Sequence, residues 1–378
     1  MSLLSKLPVT DNAVCVLAPV FTDMDADGYL RRIRAVDERV LSSLERIYMT
    51  GEAPGLRRER VRAMGNGTVF VEFDCGARLQ RQRAFSLIRR CGRLYIHSAY
   101  RLFAGDGSEK LTDLLRLPDV RIVWDVHGAV PEETELCASP ELVERAAAAE
   151  EALYRRSDAL VSVSAAMEAH LEEKYGPCRA ERFRLPLMED SGRYAGGRKP
   201  LVNGRPAAIY AGGLQPWQNI PALLDLVSRT TELYDWRLFV PEPRALDVLW
   251  WDRPDRDKVR IDRKDPGEMG AEYDMAHYGL LLREDSPVNR VSCPTKLAEY
   301  ILRGAMPVLR SARVGDLSAL GTEYVTEGEF ARGCIPTEKE RAAMADRNLT
   351  RWREYLSESE KTAERLRGFI TGERRRQD

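Results

Sequence analysis

The chain has 378 residues, of which 44% are hydrophobic and 31% charged, and its formal net charge is −1. This length exceeds what a single hydrophobic core usually serves, so we expect two domains. The near-neutral charge creates no field that would attract nucleic acid, and a nucleic-acid partner is therefore not expected.

The cysteines and the apolar runs indicate the compartment. Seven widely spaced cysteines without a C-x-x-C pair favour a reduced cytoplasm over a disulfide framework or a zinc site. The start of the chain is short and polar, and no apolar run reaches the ~18 residues of a membrane span. We therefore expect a cytoplasmic protein that is neither secreted nor membrane-spanning.

Short apolar runs alternate with helical patterns through the first half of the chain. Such alternation is typical of a parallel α/β sheet, and residues 1–190 are therefore predicted to form a Rossmann-like domain. The predicted strands cover residues 14–20, 46–50, 68–73, 94–97, 121–127 and 159–164.

The loop after the first predicted strand resembles the opening of a calcium loop, with Asp23, Asp25, Asp27 and Gly28 in register. Arg34 stands where such a loop needs a bidentate glutamate, which argues against calcium. An acidic helix start is the better interpretation, and the two-domain pattern argues against an Asp-x-Asp metal site. No metal is expected. Because ligands of open α/β sheets bind at the carboxyl ends of strands, Asp27 and Gly28 are expected on the acceptor side.

Residues 78–93 contain six arginines and no acidic residue. Most of the apolar side chains gather on one side of a helical wheel and most of the arginines on the other, which predicts a basic amphipathic helix. Such a helix can lie on an anionic membrane surface, or it can pack on a core with its arginines in water. The first alternative would give a peripheral contact with the inner face of the membrane.

Two histidines end predicted strands, His127 after residues 121–126 and His97 after residues 94–96. A histidine in that place points toward a ligand and can donate a hydrogen bond or move a proton near pH 7. His127 is therefore the first catalytic candidate, and His97 is the second candidate, on the acceptor side. Glu132 is expected to line the same cleft, with a first helical turn facing water as the alternative.

A polar, glycine-rich segment at residues 189–205 has no apolar period and is predicted to link two domains. A second series of strands follows, at residues 207–211, 236–240, 259–261, 278–282 and 306–309. Gly212 and Gly213 follow the first of these strands, where glycines let backbone amides approach a diphosphate.

Residues 292–308 read SCPTKLAEYILRGAMPV and predict a loop, a helix, a glycine and a buried strand. Pro294 suits the first helical turn, Ser292 is expected to cap its free amides, and Gly304 ends the helix. Lys296 beside a helix start adds to an anion site. Glu299, one turn later, can accept hydrogen bonds from both hydroxyls of a ribose. Phosphate and ribose together indicate a nucleotide.

This stretch resembles the donor-site signature of family 4 glycosyltransferases of the GT-B fold, and the residues that carry the resemblance are Pro294, Lys296, Glu299, Tyr300, Gly304, Pro307 and Val308. The resemblance implies an α/β protein with two Rossmann-like domains facing each other across a cleft. Residues 205–345 would bind a nucleotide sugar, and a helix within residues 346–378 would cross back to the first domain. Glu299 would bind the ribose, with the helix start near the diphosphate.

The chain departs from the family pattern in its phosphate loop, because the usual arginine and lysine are missing between Gly212 and Asn219. Lys296, Arg290 or backbone amides are then expected to supply the positive charge. The expected nucleotide-sugar site comprises Gly212, Gly213, Trp217, Gln218, Asn289, Arg290, Ser292, Pro294, Thr295, Lys296 and Glu299.

Two other departures concern the sugar and the first loop. Most family members carry a second glutamate eight positions before the ribose-binding one, and Val291 stands there. Many members have paired glycines in the first loop, where only Gly28 is available. Glu284 or Asp285 would take over contacts with the donor sugar, or backbone amides would.

The leading hypothesis is a glycosyltransferase that moves a sugar from a UDP- or GDP-linked donor to a sugar or lipid-linked acceptor during surface polysaccharide or glycolipid assembly. The resemblance implies retention of configuration and no cofactor besides the donor, with Lys296 and His127 as catalytic residues. A non-catalytic GT-B partner or chaperone of another glycosyltransferase is the alternative. A sugar-nucleotide epimerase ranks lower, and the lack of G-x-G-x-x-G disfavours a dehydrogenase.

Overall fold

A computed structural model describes residues 3–19, 28–105, 107–186, 197–250 and 255–372. Over these residues the chain divides into two compact units. Unit 1 comprises Met1–Asp23, Tyr29–Pro186 and Ser359–Asp378, and unit 2 comprises Met24–Gly28 and Leu187–Glu358. Residues 189–196 of the predicted linker lie outside the described residues, as do Asp23, Asp25 and Asp27.

Unit 1 is built on an eight-stranded sheet in the order β3-β4-β2-β1-β5-β6-β7-β8. All neighbouring strands are parallel except β3, which pairs antiparallel with β4 at one edge. Strand order reverses between β1 and β5, and ligands bind at such a switch point. The strands are β1 (Ala13–Leu17), β2 (Glu45–Thr50), β3 (Arg60–Gly65), β4 (Thr68–Glu72), β5 (Arg93–His97), β6 (Arg121–Val126), β7 (Ala159–Ser162) and β8 (Glu181–Arg184).

The helices of unit 1 begin and end at residues with clear local signals. Pro140 starts α5, where a missing N–H costs nothing, and Gly92 ends α3 with φ of 67°. Ser164 caps α6 by accepting from the Met167 amide. The helices are α1 (Leu3–Lys6), α2 (Gly28–Val36), α3 (Arg78–Cys91), α4 (Val130–Glu135), α5 (Pro140–Arg156) and α6 (Ala165–Tyr175).

Unit 2 is built on a six-stranded parallel sheet in the order β11-β10-β9-β12-β13-β14. Its strand order reverses between β9 and β12, so the carboxyl ends of these two strands form the second switch point. The strands are β9 (Ala207–Ala211), β10 (Asp235–Phe239), β11 (Val259–Asp262), β12 (Tyr278–Leu281), β13 (Met306–Leu309) and β14 (Val325–Thr326).

Apolar faces of the unit 2 helices and strands form its core, in which Trp236, Trp250 and Tyr278 are almost fully buried. Gly304 follows α11 with φ of 66°, as the sequence predicts. The helices are α7 (Ile220–Thr230), α8 (Pro243–Trp250), α9 (Pro266–Met275), α10 (Pro287–Val291), α11 (Thr295–Leu302), α12 (Glu327–Ala331) and α13 (Glu338–Thr371). The boundary between the units falls within α13, after Glu358.

The prediction of two parallel α/β sheets is confirmed, and each predicted strand is present with ends shifted by a few residues. Three strands were not predicted. β3 and β8 lack an apolar run because they carry exposed charged residues, and β14 has only two residues. Within the described residues, none of the helices is both long and apolar enough to cross a bilayer.

Candidate functional site

Lys296 lies in the first turn of α11 beside the carboxyl end of β9, and its side chain is buried. Its Nζ donates to Gln218 Oε1 at 2.8 Å and stands 4.1 Å from the centroid of the Tyr210 ring. Both partners are uncharged. A buried ammonium needs either a counter-charge or a lowered pKa, and an anion bound at this point would supply the counter-charge.

The electrostatics of Lys296 support this interpretation. Burial lowers its pKa well below the usual range, the nearby Arg283 guanidinium lowers it further, and Glu299 opposes both effects. Arg283 itself is buried just after β12, and its Nη1 donates to Ser292 Oγ at 3.1 Å. Two basic side chains therefore lie at the switch point between β9 and β12.

Gly212 follows β9 directly and leaves space for the side chain of Lys296. A Cβ atom at this position would lie 2.5 Å from Lys296 Nζ, and the φ of 156° is itself unfavourable for other residues. The hydroxyl of Tyr210 donates to the Gly213 carbonyl at 2.6 Å, which fixes the turn after the strand. The backbone after β9 thus lies close to the lysine amine.

Glu299 lies one turn after Lys296 and is half-buried. Its Oε2 accepts a hydrogen bond from Tyr273 on α9 at 2.8 Å. Tyr300, fully buried beside it, receives the Ala211 amide on its hydroxyl at 3.4 Å and so ties α11 to β9. The two residues that the sequence singles out, Lys296 and Glu299, therefore share one region of unit 2.

Asn289 joins the same region from α10. Its amide nitrogen donates to the carbonyls of Glu284 at 3.0 Å and Trp217 at 3.4 Å. Its Oδ1 is buried and has no hydrogen-bond partner among the described residues. Gln218 is buried against Lys296, and Trp217 is half-buried. This group of residues connects the loop after β9 with the loop before α11.

Ser292 does not cap α11, so this expectation was wrong. The cap position is Pro294, which has no side-chain donor or acceptor, and α11 begins at Thr295. Ser292 instead ends the short helix α10, where its hydroxyl donates to the Asn289 carbonyl at 2.9 Å. Local spacing missed α10 because five residues are too few for a periodic pattern.

Arg290 pairs with Asp285 at 2.5 Å and is partly exposed. This ion pair occupies one side of its guanidinium, so Arg290 is a weaker source of positive charge than Lys296 or Arg283. Sequence reasoning missed Arg283, Tyr210 and Tyr273, because their spacing along the chain does not show that their side chains approach Lys296 and Glu299.

His97 and His127 meet in unit 1, at the ends of β5 and β6. His97 Nδ1 is 3.1 Å from His127 Nε2, and both atoms are 3.3 Å from Asp125 Oδ2. Asp125 also pairs with the buried Arg32 at 2.9 Å and accepts from Tyr95 at 3.0 Å. Sequence reasoning missed Asp125, which reads as an ordinary strand residue.

The electrostatics of this cluster follow from its burial. Burial lowers the pKa of His97 to about 4, and it also lowers the pKa of His127. Burial raises the pKa of Asp125, but Arg32 and the two histidines outweigh it and hold that pKa well below the usual range. The carboxylate is thus ionised and both rings are neutral at pH 7.

Glu132 and Gly28 are the other described residues that were expected on the acceptor side. Glu132 Oε1 receives hydrogen bonds from His170 and from Lys174, each at 2.9 Å, within a helix-to-helix network. Burial raises the pKa of Glu132, but these two donors lower it to about 2. Gly28 is the first residue of α2, next to Tyr29, whose ring lies 4.6 Å from that of His127.

The arginine-rich helix α3 buries its apolar face in unit 1, with Ala84, Leu87 and Ile88 in the core. Three of its arginines bind within the unit. Arg81 donates to the Cys75 carbonyl at 2.6 Å, Arg83 pairs with Glu59 at 3.0 Å, and Arg90 donates to the Leu4 carbonyl at 2.9 Å. A membrane contact through this segment would therefore rely on the exposed side chains that remain, among them Arg78, Leu79 and Arg89.

Neither a family model nor a curated protein matches this sequence. Several solved structures match nearly the whole chain, and one of them is α,α-trehalose 6-phosphate synthase from Burkholderia multivorans (TM-score 0.63, 13% identity, 96% of this chain and 99% of that one). HepE from Anabaena in complex with UDP-glucose matches with a TM-score of 0.63 at 11% identity, over 95% and 99% of the two chains. The glycosyltransferase WaaG, involved in lipopolysaccharide biosynthesis, matches with a TM-score of 0.60 at 12% identity, over 95% and 99%.

The chain has the GT-B fold. At this level of identity the likeness concerns architecture. The roles of individual residues therefore depend on the geometry and chemistry of this chain's own site.

Proposed function

We propose that the protein is a glycosyltransferase that moves a sugar from a nucleoside diphosphate sugar to an acceptor. Lys296 and Arg283 would hold the diphosphate, and Glu299 would accept hydrogen bonds from the ribose hydroxyls. The fold shared with glycosyltransferases supports the reaction class. The arrangement of charge in unit 2 supports the donor class.

The observation that carries this proposal is the buried amine of Lys296 between an amide and an aromatic ring, with Arg283 near enough to lower its pKa. Clustering two basic groups away from water is unfavourable for the empty site. A diphosphate would remove that cost by supplying negative charge. The backbone beside Gly212 offers amides at the same point.

Catalysis would consist of positioning the reactants and stabilising the departing diphosphate, whose negative charge grows as the glycosidic bond breaks. Lys296 is proposed to meet that charge. His127 is proposed to contact an oxygen of the reacting sugar. We further propose that the reaction retains anomeric configuration, with the leaving phosphate taking the proton of the acceptor hydroxyl.

The donor is proposed to be a uridine nucleotide, because a fold neighbour was solved with UDP-glucose. The acceptor is proposed to be a sugar or a lipid-linked sugar in surface polysaccharide or glycolipid assembly. The exposed part of α3, with Arg78 and Arg89, would bring the protein to the inner face of the membrane.

Calorimetry with UDP and GDP, followed by a panel of nucleotide sugars assayed for released diphosphate, tests the proposal. We expect UDP to bind and one UDP-sugar to be turned over with an acceptor. Lys296→Met should weaken UDP binding, whereas Lys339→Met, an exposed lysine of α13, should not. Absence of binding by either nucleotide would refute the proposal.

A non-catalytic GT-B partner of another glycosyltransferase is the second candidate. It is favoured by Val291, a buried apolar residue where family members carry a sugar-binding glutamate. UDP binding without turnover of any donor, together with stimulation of a partner enzyme, would support this candidate.

A further inference from the structure

His97, Asp125 and His127 bring three polar atoms into a small triangle with edges of 3.1, 3.3 and 3.3 Å. The two remaining ring nitrogens, His97 Nε2 and His127 Nδ1, are buried and have no hydrogen-bond partner among the described residues. The positions of the ring protons therefore decide which of these nitrogens can bind a ligand.

The protons of this cluster can be counted. Both rings are neutral, so two protons are shared by four ring nitrogens. The closest pair of atoms, at 3.1 Å, is His97 Nδ1 and His127 Nε2. A hydrogen bond between these nitrogens needs one N–H and one lone pair. One ring therefore carries its proton on the nitrogen inside the triangle (the inward proton), and the other ring carries its proton on the nitrogen outside the triangle.

Burial indicates which ring carries the inward proton. The His97 side chain is 0% exposed, so a proton on its outer Nε2 would remain an unpaired donor. The outer Nδ1 of His127 is also buried and without a partner among the described residues, but the His127 side chain is 9% exposed, so a ligand can reach this ring more readily than it can reach that of His97. This assigns the inward proton to His97 Nδ1, which donates to Asp125 Oδ2 and His127 Nε2.

We propose that His97 and Asp125 are positioning residues that fix the proton of His127 on Nδ1, so that His127 presents a neutral N–H donor to a ligand oxygen. The ligand class rests on the proposed function, in which that oxygen belongs to a sugar. A neutral imidazole donor can stabilise charge developing on oxygen without transferring a proton. Arg32 and Tyr95 hold Asp125 in place, and Arg101 is a further charge facing His127.

A metal ion is the competing explanation, since two histidines and a carboxylate at these distances are a ligand set for zinc. Two observations favour a hydrogen-bonded cluster over a metal site. Arg32 already neutralises Asp125 through a buried ion pair at 2.9 Å. Histidines that bind metals nearly always donate their other N–H, and among the described residues no acceptor faces His97 Nε2 or His127 Nδ1.

Long-range ¹H–¹⁵N correlation spectra of protein labelled at its four histidines read the tautomers directly. The spectra are recorded at pH 7 without nucleotide, so the result stands whether or not sugar transfer is found. Signals of His127 are assigned by their loss in His127→Ala. We expect the Nδ1–H pattern for His127 in the wild type.

Two substitutions at His97 separate positioning from packing. In His97→Asn an amide N–H stands near the former Nδ1–H, so His127 should keep its Nδ1–H pattern. In His97→Phe the carboxylate of Asp125 becomes the group facing Nε2, so His127 should change to the Nε2–H pattern. With an active donor, His97→Phe should lower kcat at least tenfold while UDP affinity stays within twofold.

Three outcomes would overturn the proposal. They are an Nε2–H pattern for His127 in the wild type, an unchanged pattern in His97→Phe, and one equivalent of zinc that a chelator removes with a change in both histidine spectra. If His97→Phe does not fold, the wild-type spectrum and His97→Asn still decide the question.

Discussion

The hydroxyl of Tyr273 donates a hydrogen bond to Oε2 of Glu299 at 2.8 Å, linking the last turn of α9 to α11. This bond fixes the orientation of a half-buried carboxylate. A carboxylate that is held in one orientation is suited to accept two hydroxyl groups.

We expect Glu299→Ala to weaken UDP binding by roughly 10- to 100-fold, because hydrogen bonds to a charged group contribute about 1.5–3 kcal/mol each. Tyr273→Phe should have a smaller effect of about threefold, since the carboxylate remains but is less fixed. Calorimetric titration with UDP measures both. Glu354→Ala, an exposed glutamate of α13, is the matched control. Equal affinity for Glu299→Ala and the control would contradict the ribose role.

UDP binding should be accompanied by proton uptake at Lys296. Burial and Arg283 lower the pKa of this lysine in the free protein, and a bound diphosphate would raise it. The complex then holds more protons than the free protein, so affinity should fall as pH rises above the free-state pKa. Titrations in two buffers with different ionisation enthalpies measure the uptake. Lys296→Met should abolish it, and uptake that survives in this variant would point to another group.

Gly212→Ala should disturb the site and the fold together. The new Cβ would stand 2.5 Å from Lys296 Nζ at a φ of 156°, so either the lysine or the backbone must move. We expect a loss of about 1–3 kcal/mol in the free energy of unfolding and weaker UDP binding. Urea denaturation and calorimetry measure these effects. Gly267→Ala, in α9 with nothing near its Cβ, should be neutral or stabilising.

Lys199 stabilises the carboxyl ends of two helices in unit 2. Its Nζ donates to the carbonyls of Tyr273 at 2.9 Å, Ala276 at 2.6 Å and Arg303 at 2.8 Å. We expect Lys199→Met to lower the free energy of unfolding by roughly 2–4 kcal/mol, because buried carbonyls lose their donor. Arg198→Met, on the exposed neighbouring residue, should change it by less than about 0.5 kcal/mol in the same urea titration.

The sequence identified those features of the site that depend on neighbours along the chain. Lys296 and Glu299 are three residues apart on one helix, and Gly212 directly follows a strand, so their relation can be read from spacing. His127 and His97 were found because each ends an apolar run.

Other features depend on pairs of residues that are distant in the chain. Asp125 binds Arg32 across 93 residues, and Tyr273 binds Glu299 across 26. A single sequence carries no local signal for such pairs. The arginines of α3 also show this limit. Their spacing is that of a surface helix, and only the fold reveals that Arg81 and Arg83 bind within unit 1.

The last turns of α13 belong to unit 1, where Arg93 donates to the Ile370 carbonyl at 3.0 Å and Arg367 donates to the Val40 carbonyl at 3.1 Å. A ribosome therefore makes the final part of this unit only after all of unit 2. Until then Arg93 lacks its partner carbonyl, and the apolar residues that pack against Ile370 are uncovered. Unit 1 can therefore complete its folding only after unit 2 has been synthesised.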